Sequence, residues 1–188
     1  MVKELQLAPK AVNVAALLVI IASLFATVSL ITSGKAGGTA SDQKTAALGF
    51  MILRLESSTE ASTARVQAQT YLTQAEMYFA RAEATDSENL KAYLDNLGYL
   101  SVSMSNFYIG VAENSENKAQ TYYGAYEEAI GAASSYGKVA DYRSAGALIF
   151  NVGAMICGTA GLLKRKELLY VFIPIFAIGA GYLIMSLF

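Results

Sequence analysis

The 188-residue sequence has no His, no Trp, one Cys and two Pro. Without imidazole, neither a Ser–His nor a Cys–His nucleophile can be built, and one Cys excludes an intrachain disulfide and most metal sites. That residue, Cys157, falls inside an apolar run, where a thiolate is poorly solvated. Charge is also scarce: 15% of residues are charged, against about 25% in an ordinary soluble protein. The composition excludes a plain soluble enzyme domain, implies no metal and no cofactor, and points to a non-enzymatic chain.

The missing charge is confined to three stretches. Residues 11–34, 144–163 and 168–188 contain no Asp, Glu, Lys or Arg, and each has the roughly 20 residues of helix needed to cross a bilayer core. The first could be a secretory signal, because Lys3 and Lys10 precede it and small residues close it. Its apolar run exceeds the ~7–15 residues of a signal core, so it is expected to be an uncleaved anchor. The other two form a hairpin around Lys164, Arg165, Lys166 and Glu167. Cations beside a span are retained on the cytoplasmic side, so Lys164, Arg165 and Lys166 are the orientation signal. The expected order is a cytoplasmic N-terminus (1–10), a first span (11–34), an extracytoplasmic helical domain (35–143), a second span (144–163), a cytoplasmic turn (164–167) and a third span (168–188), its end outside a plasma membrane.

Residues 35–143 hold nine Lys or Arg and thirteen Asp or Glu, a net charge of −4. An acidic outer portion argues against a nucleic-acid partner, which requires a basic surface, and against docking on anionic lipid. Inside the spans, Gly153, Cys157 and Gly161 recur at four-residue spacing, as do Ala177 and Gly181. Small residues so placed let helices approach closely in lipid, either within the hairpin or between copies. Asn151 is expected to hydrogen-bond another helix, since an unpaired amide in hydrocarbon is costly.

KAGGTA at 35–40 predicts a break, because paired glycines interrupt a helix. Beyond it, no Pro occurs before Pro174, and the Ala-, Glu-, Gln- and Tyr-rich middle predicts helix throughout. Three seams at 3-4 spacing are legible, offset by 29 residues: one from Ala61 to Ala82 carrying Tyr71 and Tyr78; one of Leu90, Tyr93, Leu97, Leu100, Met104, Phe107 and Val111; and one from Ala119 to Ala140 carrying Tyr122, Tyr126 and Tyr136. Cap-like segments precede them at Ser57–Glu60, Thr85–Glu88 and Asn114–Asn117. The chain must leave and re-enter the membrane, so the expected fold is all-α, with a four-leg antiparallel bundle (41–56, 57–84, 85–112, 113–143) outside. The alternative is a long coiled-coil hairpin with 41–84 as one helix. Tyr suits bundle cores and interfaces, having a large apolar body and a polar tip.

The carboxylate pairs Glu56/Glu60, Glu113/Glu116 and Glu127/Glu128 show no convergence of the kind acid–base work requires. Glu60, Glu88 and Glu116 suit first-turn positions, and DSEN and NSEN lack the glycine and spacing of a calcium loop. Gly34, Gly37 and Gly38 follow no strand, so no phosphate cradle is expected.

The segment SGKAGGTASDQ closing the first span, and YRSAGALIFNVGAMICGTAGLLKRKELLYVFIPIFAIGAGYLIMSLF at the C-terminal end, give an order that resembles an uncharacterised family of prokaryotic membrane proteins. That family has one N-terminal span, a helical or coiled-coil middle and a closing two-span hairpin. The resemblance implies this architecture and lends no activity and no site residues. Three functions are compatible with the residues. The first is a structural or accessory membrane protein, held in the lipid bilayer, whose outer domain associates with itself or with other membrane-complex subunits. The second is a sensory or ligand-binding module with an unknown ligand. The third is a small oligomeric transporter or channel.

Overall fold

Long Ala-rich stretches without proline sustain helix over unusual lengths. In the computed structural model, α1 runs Pro9–Glu83, α2 Glu88–Leu163 and α3 Glu167–Met185. The structure describes residues 9–163 and 167–188, with side chains described from Val14 onward except that of residue 168. Among the described residues the fold is all-α, with no strand.

Only one of the expected interruptions exists. KAGGTA lies inside α1, and residues 57 and 113 lie inside α1 and α2, so the four-leg bundle is replaced by two long helices. Glycine in a helix interior costs about 1 kcal/mol relative to Ala, but Ala36 and Ala40 on either side of Gly37 are buried. Packing of that face holds the helix through the glycines. The turn at 84–87 is the surviving break. Ser87 caps α2 from the residue before it, its carbonyl accepting from Lys91 N–H at 2.8 Å, so the cap lies two residues beyond Thr85, where a capping box would put it.

The chain divides into two compact units, one of Thr45–Ala129 and the other of residues up to Lys44 together with Ile130–Phe188. In the 45–129 unit the buried seam consists of small side chains. On α1 these are Ala47, Ser57, Ala61, Ala64, Ala68, Ala75 and Ala82; on α2, Ser101, Ser105, Ala112, Ser115, Ala119 and Ala129. Residues 61, 68, 75 and 82 are spaced by seven, as are 105, 112 and 119, so one face of each helix stays against the other. Close backbone approach follows: Ser105 Oγ donates to the Ala68 carbonyl at 2.9 Å. Larger side chains flank this seam, with Tyr71 stacked on Tyr108 (5.5 Å, 9°) and Phe79 edge-on to Tyr99 (5.3 Å, 72°).

In the other unit, α1, α2 and α3 pack around Ala22, Cys157 and Phe172, with Leu18, Val19, Ala154, Leu169 and Phe176 against them. Phe150 and Phe176 meet edge-on at 5.0 Å, and Phe25 contacts both. Space for these rings is made by glycine. A β-carbon at Gly153 would stand 3.1 Å from the Phe172 ring, and one at Gly179 the same distance from Phe150.

Candidate functional site

Among the described residues no cluster of three or more His, Cys, Asp or Glu is placed to hold a metal ion. Arg65 and Glu116 form an ion pair at 2.6 Å between exposed side chains, an interaction worth only about 0.2–1 kcal/mol. Beside it, an open groove of about 300 Å³ is lined by Arg65, Gln69, Leu72, Ser105, Ile109 and Glu113. Glu113 is the one carboxylate lining it, so no acid–base pair converges there. Tyr123 lies under the Arg54 guanidinium, 4.4 Å from ring centroid to Cζ. Its hydroxyl is held above the ordinary phenol range, first by a hydrogen bond to Glu127 and then by that carboxylate's charge.

The α2 seam read as Tyr93, Leu97, Leu100, Met104 and Phe107 is not the buried face of α2, and Leu97 and Met104 are only partly buried. Tyr93, Leu100 and Phe107 are each 60% exposed, while Gly98, Ser101, Ser105 and Ala112 are buried. The buried face is thus displaced by one residue, or about 100° around the helix. The physical reason is the partner: an alanine face on α1 brings the backbones too close for Leu, Met or Phe between them, so these are turned aside. The seven-residue spacing of Gly98, Ser105, Ala112 and Ala119 is the signal that identifies the inner face. Of the other seam tyrosines, Tyr71, Tyr78, Tyr122 and Tyr126 are partly buried, and Tyr136 is exposed.

Among the small residues of the apolar stretches, Gly153 packs under Phe172, Cys157 is fully buried, and Gly161 approaches Ala15 of α1, where an added β-carbon would stand 3.4 Å from Ala15 Cβ. Ala177 is exposed and Gly181 would meet nothing within 4 Å. The packed face of α3 carries Phe172, Phe176 and Gly179 instead. Two large rings fix that face, and Ala177 and Gly181 lie two residues, about 200°, away from Gly179. Asn151 is exposed rather than bonded to a neighbouring helix. Lys164, Arg165 and Lys166, like the N-terminal Lys3 and Glu4, lie outside the described residues.

Arg143 was not singled out by the sequence. Its Nε donates to Ser186 Oγ at 3.3 Å and its Nη1 to the Thr32 carbonyl at 3.4 Å, while Ser186 Oγ donates to the Leu183 carbonyl at 2.7 Å. One guanidinium thus joins α1, α2 and the C-terminal turn of α3. Alongside it, Ser33 Oγ donates to the Ala140 carbonyl at 2.8 Å. Ser29 Oγ is buried without a partner.

No protein-family model matches the chain, and no curated protein or solved structure matches it either. Among the described residues two helices, α1 and α2, are long and apolar enough to cross a membrane, and α3 supplies a shorter apolar stretch, Leu169–Met185.

Proposed function

We propose that the chain is a non-enzymatic, multi-pass membrane protein that holds an outer helical hairpin at the membrane surface for association with itself or with other subunits. The observation that supports this is the inverted burial of the apolar stretches. In their most apolar windows, only 22% of α1 and 33% of α2 is buried, whereas an apolar helix of a water-soluble core is mostly buried. Leu17, Ile20, Leu24 and Ile31 face outward from α1, and Ala22, Ala26, Ser29 and Ser33 face inward. That exposure is very costly in water and costs nothing in hydrocarbon.

On this reading α1 enters the bilayer near its N-terminal end, α2 returns through it, and α3 crosses again after the basic turn. The acidic 45–129 hairpin stands outside, its small-residue seam acting as an antiparallel coiled coil.

Alkaline carbonate washing of membranes, combined with cysteine labelling, tests this. The chain should stay in the membrane pellet; a Thr85→Cys variant should react with an impermeant maleimide in intact cells, and a Lys166→Cys variant only after permeabilisation. Release into the supernatant would overturn the assignment.

A further inference from the structure

The exposed stripe of α2 is large, apolar and regularly spaced, unlike the small-residue seam beside it. Tyr93, Leu100 and Phe107 recur every seven residues, and Leu97, Met104 and Val111 fill the alternate positions as partly exposed side chains. This 3-4 alternation is the pattern one helix presents to another of the same period. We propose that it is covered by the same stripe of a second copy of this chain, α2 against α2, parallel and in register.

Three observations favour a second copy. The first is area. With a fully exposed aromatic side chain presenting about 150–250 Å², the stripe offers about 500 Å² per chain. Two copies bury about 1,000 Å², the size at which specific interfaces begin. The second is charge. The positions flanking the stripe between 89 and 110 are Asn89, Leu94, Asn96, Ser101, Ser103, Tyr108 and Gly110. None is ionised, so like residues can meet without repulsion, and no charge pattern selects a different chain. The third is continuity: Leu94, Ser101 and Tyr108, on one flank of the stripe, are buried or partly buried on the side of α1, so the second copy extends a packed layer. The parallel direction rests on the membrane reading above, because two copies inserted in one bilayer carry α2 the same way.

The test uses the full chain in native membranes with Cys157→Ala as background. In-register parallel pairing brings like residues of a core layer within disulfide reach. Tyr93→Cys, Leu100→Cys and Phe107→Cys should therefore each form a dimer on mild oxidation, and Val66→Cys, exposed on α1, should not. In detergent, Leu100→Glu should halve the mass measured by light scattering. If disulfides form only between Tyr93→Cys and Val111→Cys chains mixed together, the pairing is antiparallel and the proposal fails. Cross-linking of the stripe to a chain of different mass, or none at all three positions, also overturns it. Carbonate washing of the same samples separates the two claims: a membrane-retained chain without cross-links refutes the dimer alone, and a released chain refutes the membrane assignment.

Discussion

The ring of Phe79 lies over Gly98, so closely that a β-carbon at Gly98 would stand 2.5 Å from Phe79 Cε1. Near the turn joining α1 and α2, this contact fixes the distance between the two helices. Gly98→Ala sets two effects against each other. Alanine gains about 1 kcal/mol of helix propensity, while overpacking of a closed contact costs about 1–3 kcal/mol. The expected net result is a lower melting temperature in circular-dichroism melts, restored by Phe79→Leu, which removes the ring.

The small-residue seam reverses the usual ranking of core and surface substitutions. Ala68→Leu places a large side chain where Ser105 reaches the Ala68 carbonyl at 2.9 Å and is expected to destabilise the hairpin by about 1–3 kcal/mol. Leu55→Ala, on an exposed position, should change stability by less than about 0.5 kcal/mol. Ser105→Ala should fall between them, at about 0.5–1.5 kcal/mol for the lost hydrogen bond. Thermal unfolding of the three variants gives the order directly.

Arg143 ties three helices together through Thr32 and Ser186. Both bonds are long, so Arg143→Gln is expected to cost about 1 kcal/mol. The loss should appear as a lower melting temperature in detergent and faster proteolysis at the C-terminal end. Ser186→Ala removes one of the two bonds and should show a smaller effect in the same assay.

Tyr123 should ionise above the ordinary phenol range, because Glu127 accepts its proton in a hydrogen bond and repels the phenolate. A raised folded-state value means that the contribution to stability is fully present below the ordinary phenol value near 10. It is lost as pH climbs through the raised value. Titration followed by NMR of tyrosine Cζ should show the Tyr123 midpoint falling in Glu127→Gln. Equal midpoints in the two proteins would remove the assigned cause.

Helix content, the charge-free stretches and the buried alanines Ala61, Ala64, Ala68, Ala75, Ala82, Ala119, Ala129 and Ala133 were legible in the sequence itself. Each depends on local composition and on a period of seven that any neighbour must respect. Tertiary structure decided the rest. It carried α1 through KAGGTA, because a buried alanine on either side of Gly37 outweighs the cost of the glycines. It turned Tyr93, Leu100 and Phe107 outward, because the opposing alanine face leaves no room for large side chains. It also moved the packed face of α3 from Ala177 and Gly181 to Phe172 and Gly179, and placed Arg143 between Thr32 and Ser186. A sequence shows which faces are apolar, but which face is buried depends on the shape of the helix that meets it.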